Sequence, residues 1–189
     1  MLDKSLPYYN IIMKREKGTP LPEPKLNPGF YFSCYSAGDE EAWAKIECSI
    51  GEFDTPEDAL QYFKEKYFPD QALLSLRMLF IQDRNKEKIA TLTNWWDMTG
   101  TEKTPSLNWI GVKPDFQGLG LGKAIIFEGL RQMISIEGDV DVFLHTQTWS
   151  YRAVNIYLNA GFKFCENDVF GTYQNDYPEY LEILRDKIR

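Results

Sequence analysis

The stretch Gln117-Gly118-Leu119-Gly120-Leu121-Gly122-Lys123 places three glycines within five positions. It follows an apolar segment, Ser106 to Val112, and the break Lys113-Pro114-Asp115. It opens a run to about Ile136 in which Ile126, Leu130, Met133 and Ile134 fall on one helical face. Glycine gives up more backbone entropy on folding than any other residue, so this density requires a reason. One reason is chemical: with no Cβ in the way a ligand reaches the backbone, and amides at a helix start cradle a phosphate with the helix dipole behind them. The other is a tight turn with unusual dihedrals. Two known phosphate loops are excluded by residue identity. A Walker A loop ending at Gly122-Lys123 needs Gly in place of Gln117 and Ser or Thr in place of Ala124. A dinucleotide fingerprint begun at Gly118 needs Gly in place of Lys123.

Working outward, Val140 to Thr146 reads as a strand after the glycine-led helix. Ser150 is placed to cap a helix whose apolar face is Ala153, Ile156, Tyr157 and Ala160, and Gly161 suits its left-handed C-terminal position. Phe162 to Glu166 and Val169 to Tyr173 read as a closing strand pair, and Glu179 to Ile188 as a terminal helix. Upstream, Tyr8 to Arg15 is a first strand, Gly18 to Pro28 a Pro-rich loop and Gly38 to Gly51 a helix. Thr55-Pro56-Glu57-Asp58 starts another helix, with Thr55 as N-cap, Pro56 in the first turn and acids at the positive end. Arg77 to Asp83 and Lys88 to Trp96 are strands joined by the polar turn Arg84-Asn85-Lys86-Glu87. Helices interleave irregularly with hairpin-linked strands, which predicts a mixed-sheet α/β or α+β domain.

The chain has 189 residues, 43% hydrophobic and 26% charged, the make-up of one globular domain spanning 1–189. Twenty-one Lys and Arg against 28 Asp and Glu leave a net charge of −7, a field that opposes nucleic-acid binding. Cys34, Cys48 and Cys165 are odd in number and scattered, which suits reduced thiols and a cytoplasmic location. Asp3, Pro7 and Asn10 interrupt the start where a signal peptide needs an apolar stretch. Clearly apolar runs such as Met78-Leu79-Phe80-Ile81 are far below the ~20 residues of a membrane span, so no membrane partner is expected. One His, scattered Cys and no Gly-x-Ser-x-Gly leave no material for a metal enzyme or serine hydrolase.

Gln117, Gly120 and Gly122 match the pattern Gln/Arg-x-x-Gly-x-Gly/Ala. The preceding W-I-G-V-K-P-D-F and the downstream S-Y-R-A-V-N-I-Y-L-N-A-G-F carry the rest of a spaced signature over roughly residues 105–165. In these segments the chain resembles the GNAT superfamily of acyl-CoA-dependent N-acyltransferases. The resemblance implies a mixed, mostly antiparallel sheet flanked by helices. That sheet is splayed between the family's fourth strand, here Ser106 to Val112, and its fifth, here Val140 to Thr146. It implies acetyl-CoA, or another acyl-CoA, as co-substrate and no metal. The pantetheine would bond to the backbone of Ile110, Gly111 and Val112, and the pyrophosphate to amides of Gly118, Leu119, Gly120, Leu121, Gly122 and Lys123 behind Gln117. The acceptor would be the amine of a small molecule or peptide. Dimers are common in that family, which makes a homodimer one option.

Tyr157 stands at the family's tyrosine position, where it would act as general acid toward the leaving thiolate. Its apolar spacing with Ala153, Ile156 and Ala160, taken alone, favours a core residue. Asn155 is a candidate contact for the pantetheine arm or a surface helix position. Ser150 stands where the family often has Asn. The family's frequent base, a Glu on the fourth strand, falls by register on Asn108, which accepts no proton, and His145 is the other candidate. Residues 39–58 hold eight acids against Lys45, which forms either a lip attracting cationic amines or a solvated helix face. Trp95, Trp96, Trp149 and Tyr151 are candidates for an aromatic wall or for the core. A non-catalytic acyl-CoA-binding module is the alternative to an enzyme.

Overall fold

The computed structural model describes residues 2–188. Its backbone is a seven-stranded sheet: β1 (Asn10–Arg15), β2 (Tyr31–Cys34), β3 (Met78–Gln82), β4 (Lys88–Thr99), β5 (Glu102–Val112), β6 (Val142–Gln147) and β7 (Lys163–Phe164). Their spatial order is β2-β3-β4-β5-β6-β1-β7. Every adjacent pair is antiparallel except β5 and β6, which are parallel and meet only at Ser106↔Phe143. The mixed α/β sheet with mostly antiparallel pairing is therefore present, and the strands expected to splay are β5 and β6.

Helices cover both faces: α1 (Glu40–Ile50), α2 (Pro56–Tyr67), the single turn α3 (Leu74–Arg77), α4 (Leu121–Glu137), α5 (Tyr151–Asn159) and α6 (Glu179–Leu184). The run Met78-Leu79-Phe80-Ile81 shows why both faces need cover. Side chains alternate across a strand: Met78 and Phe80 join a cluster with Trp43, Phe63 and Tyr67 from α1 and α2, whereas Leu79 and Ile81 join Ile126, Leu130 and Met133 from α4. Thr55 caps α2 as expected, its hydroxyl accepting the Asp58 amide at 3.1 Å with Pro56 in the first turn. Cys34, Cys48 and Cys165 are all free thiols, and among the described residues no helix is long and apolar enough to cross a membrane.

One strand is unexpected: Tyr31–Cys34 is an edge strand that carries no strong alternating pattern, with Phe32 and Ser33 only half-buried. Three expectations need correction. Val169 to Tyr173 is not a strand. Gly171 there has a φ of +58°, Phe170 is buried against Ile12 and Cys165, and the segment folds over the sheet end. The partner expected for Phe162 to Glu166 is instead the N-terminal β1, with Met13 facing Phe164, and the ladder shrinks to Lys163–Phe164. Ser150 occupies the N-cap of α5 without a side-chain hydrogen bond, so it does not cap in the sense expected.

The helix that begins at the glycine segment lies close on the sheet at Gly129, where a Cβ would stand 2.6 Å from Leu92 Cδ2 and 3.3 Å from its Cγ. Leu92 is fully buried and has nowhere to withdraw. Gly129→Val is expected to destabilise the fold by about 1–3 kcal/mol through overpacking. Urea unfolding should show it as a lower midpoint at unchanged slope.

Candidate functional site

Beyond Ser106 the sheet opens. β4 follows β5 on one side with a β-bulge: Thr91 faces Gly111 and Thr93 faces Asn108, so Leu92 opposes both Trp109 and Ile110. Trp109 takes a φ of +48°, unusual for a bulky residue. Its indole is wedged between Tyr62 and Phe53, with ring centroids 4.9 and 5.1 Å away, and its Nε1 donates to Tyr62 Oη at 3.2 Å. On the other side, the residues of β5 past Ser106 have no ladder to β6.

A cavity of about 860 Å³ fills the space between them, within the usual size for small-ligand sites. One part of its lining is Gln117, Gly118, Gly120, Leu121, Gly122 and Lys123, with Arg152 from α5. Gly118 and Gly120 have φ of +79° and +78°, and a Cβ at either would meet nothing within 4 Å. The left-handed backbone, rather than crowding, is what demands glycine there. No side chain caps α4, so the first amides of the helix are offered to a ligand. The Gln117 amide donates to the Val112 carbonyl at 2.9 Å, tying the loop to the end of β5.

Ile110, Val112 and Tyr157 also line the cavity. Tyr157 is 5% exposed, none of the described residues hydrogen-bonds its hydroxyl, and burial pushes its pKa well above the ordinary phenol value. Three of the sequence-derived contacts stand outside the lining. Gly111 turns toward α1, and Leu119 lies on the outer side of the loop, its carbonyl accepting from Asn27 at 3.1 Å. Asn155 uses its amide to hold the carbonyls of Lys187 and Tyr151, at 3.1 and 3.4 Å, which fastens the chain after α6 to α5.

Another part of the lining is acidic and aromatic, with Glu47, Glu52, Asp97, Tyr8, Tyr62, Trp109, His145 and Tyr173. Of the acids between 39 and 58, only Glu47 and Glu52 reach it. Asp39 pairs with Lys88 at 3.0 Å, Glu40 accepts the Tyr35 hydroxyl at 2.7 Å, and Asp58 accepts the Thr55 hydroxyl at 2.6 Å. Trp95, Trp96, Trp149 and Tyr151 do not form its wall. Trp95 and Trp96 stack on each other at 4.4 Å, and Trp149 packs edge-on against Tyr8 at 4.9 Å. Asn108 does line the cavity. Its Oδ1 accepts the Ser106 hydroxyl at 2.6 Å and its Nδ2 donates to Asp97 at 3.4 Å, so its groups are committed to β4 and β5.

His145 Nε2 lies 2.8 Å from Asn10 Oδ1, and its ring stacks on Tyr173 at 4.0 Å. Burial lowers its pKa to about 4, so the imidazole is neutral near pH 7. Its stabilising contribution is complete above 6.5 and is lost as pH falls toward 4. The residue that sequence reasoning passed over is Glu47. It sits 1% exposed, its Oε1 has no hydrogen-bond partner, and burial together with Glu52 raises its pKa well above the ordinary carboxylate value. A visible signal was its place on the same helical face as the apolar Trp43 and Ile50.

A family model described as Acetyltransferase (GNAT) family matches residues 41–162, most of the chain and all of the cavity's central elements. The chain belongs to the GNAT acetyltransferase family. Among curated relatives, the mycothiol acetyltransferase of Streptomyces coelicolor is 26% identical over 153 residues, covering 80% of this chain and 48% of its own. The mycothiol acetyltransferase of Frankia casuarinae is 28% identical over 170 residues, covering 80% of this chain and 46% of its own. The chain thus spans about half the length of these curated relatives. Among solved structures, a GCN5-related N-acetyltransferase from Sphaerobacter thermophilus aligns with a TM-score of 0.63 at 18% identity, covering 84% of this chain and 49% of that one. At that identity the likeness speaks for the GNAT fold alone.

A carboxyl whose folded-state pKa is raised contributes stability that is full below about 4.5 and is lost as pH climbs toward the folded value. A glutamine cannot ionise. The melting temperature of Glu47→Gln minus that of the wild type should therefore grow steadily as pH rises from 4.5 to 8. A flat difference would show that Glu47 is ionised in the resting fold.

Proposed function

We propose that this chain transfers an acetyl group from acetyl-CoA, or another acyl-CoA, to the primary amine of a small molecule or peptide. The observation that carries the reading is one continuous cavity bordered by the uncapped glycine-led start of α4, the unpaired edge of β5 and the Tyr157 hydroxyl. The pantetheine arm would lie along Ile110 and Val112 and the pyrophosphate on the amides of Gly118, Gly120, Leu121, Gly122 and Lys123. The name carried by its relatives, mycothiol acetyltransferase, favours a small-molecule acceptor.

The acceptor nitrogen attacks the thioester carbonyl, and a backbone N–H at Val112 or beside it holds the oxyanion. The C–N bond forms, the C–S bond breaks, and the CoA thiolate takes the Tyr157 proton. Burial serves this role by keeping that hydroxyl protonated near neutral pH. A non-catalytic acyl-CoA-binding module rests on Asn108 standing where a base is common. The buried Glu47 carboxyl in the same cavity supplies what that reading lacks.

Acetyl-CoA at ~100 times its dissociation constant adds ~2.7 kcal/mol, which should raise the melting temperature by about 5–11 °C. No shift with acetyl-CoA or any other acyl-CoA would end the proposal. A shift without CoA release across a broad amine panel would favour the binding module. Tyr157→Phe is expected to lower kcat by about 10²–10⁴-fold while the acetyl-CoA shift persists.

A further inference from the structure

Resting on the acetyltransferase reading, we propose that the Glu47 carboxylate is the general base of the reaction. It takes the proton of the acceptor's ammonium, and its charge, with that of Glu52, restricts acceptors to amines with no carboxylate beside the nitrogen.

Four carboxylate or imidazole groups border the acceptor part of the cavity, and three are committed. Asp97 takes the Lys66 ammonium at 2.9 Å on one oxygen and Ser106 and Asn108 on the other. Glu52 accepts a side-chain hydrogen bond from Gln147. His145 Nε2 faces an amide oxygen, which only accepts, so that nitrogen carries the ring proton, and the ring face is covered by Tyr173. Glu47 is left with a buried oxygen that nothing satisfies, in a side chain that borders the cavity. Buried acceptors of this kind are rare and call for an explanation.

Its position is built in. A Cβ on Gly111 would stand 2.9 Å from Glu47 Oε1, so the glycine in β5 makes room for the carboxyl against the strand expected to hold the acyl arm. The groups around Glu47 are Cys48 on its own helix, Glu52 after α1, Tyr62 and the buried Tyr67 from α2, Asp97 from β4, His145 from β6 and Tyr157 from α5. Tyr8 and Tyr173 flank the cavity, and Lys123 and Arg152 stand at the starts of α4 and α5. Burial and Glu52 keep the carboxyl protonated when the cavity holds no cation. An arriving ammonium favours the ionised form.

The proton balance closes. On binding, the ammonium displaces the Glu47 proton to solvent, then gives one of its own to the carboxylate and becomes the neutral amine. The amine attacks, C–N forms and C–S breaks, and CoA thiolate takes the Tyr157 proton. The tyrosinate takes the proton left on the amide nitrogen, and Glu47 is again in its protonated resting form. The sum is ammonium plus acetyl-CoA giving amide, CoA thiol and one proton.

The test uses tyramine and tyrosine, which share a skeleton and differ by the carboxylate, with the full chain and acetyl-CoA over pH 5–9. The aromatic lining at Tyr8, Tyr62 and Trp109 motivates the phenol ring. The wild type should favour tyramine, with an acidic limb in kcat/KM set above the ordinary carboxylate range. Glu47→Gln should lower kcat by about 10²-fold or more, abolish that limb, narrow the tyramine preference and leave the acetyl-CoA melting shift intact. Glu47→Asp should recover part of the rate. Turnover by Glu47→Gln within a few-fold of wild type, with the same limb, would overturn the base role while the acetyltransferase reading stands. Failure of the wild type to release CoA with any amine would instead end the acetyltransferase reading.

Discussion

The parting of β5 from β6 beyond Ser106↔Phe143 strips ladder partners from one edge of β5, along residues that are mostly half-buried. Backbone donors and acceptors left unpaired inside a protein cost about 1–3 kcal/mol each. The fold tolerates the opening because the remaining edge of β5 is fully engaged with β4 and because α4 spans the parting. Leu92 of β4 and Leu144 of β6 belong to one core cluster with Ile126 and Leu130. The close seat of Gly129 on Leu92 draws that helix down onto the sheet, and the start of the same helix is thereby brought to the mouth of the opening. The strained Trp109 adds to this. Its aromatic neighbours hold the bulge that turns the end of β5 out of register with a straight ladder.

Charge is distributed unevenly around the space so created. The whole chain carries −7, a field that repels polyanions. The start of α4 opposes that field locally with uncapped amides, the helix dipole and the cations of Lys123 and Arg152. Glu47, Glu52 and Asp97 line the same space, two of them raised in pKa by burial. In a medium less polar than water such opposed groups act over longer range than at the surface. Anion and cation are thereby sorted to different walls of one cavity.

Much of this was legible in residue order. The glycine segment, its flanking strand and helix, and the Tyr157 helix are local features, and local propensity and spacing reach them directly. The strand at Tyr31–Cys34 escaped because an edge strand with half-buried residues carries little periodic signal. The misread pair after Phe162 came from pairing neighbours in sequence, whereas the ladder there is closed by β1. Asn155 is a tertiary matter: its spacing placed it near the motif, but the carbonyl of Lys187 claims its amide. Glu47 was visible only as one acid among eight. Its burial depends on α1 lying close against Gly111, whose missing Cβ leaves room for it, which no count of charges reveals.

The place of β1 in the sheet has a consequence for how the chain reaches its fold. β1 lies between β6 and β7, with Asn10 facing Gln147 and Lys14 facing Lys163. Ile11, Ile12 and Met13 are fully buried there. The strands β2 to β5 find their ladder partners in one another, with none drawn from the chain beyond Val112 except at the single Ser106↔Phe143 pair. The N-terminal strand, by contrast, has no edge to join until the last third of the chain is available. Pairings so distant along the chain form slowly, because loop closure precedes any gain in contacts. The apolar β1 therefore waits for β6 and β7, and the half of the sheet that closes the cavity is the last to form.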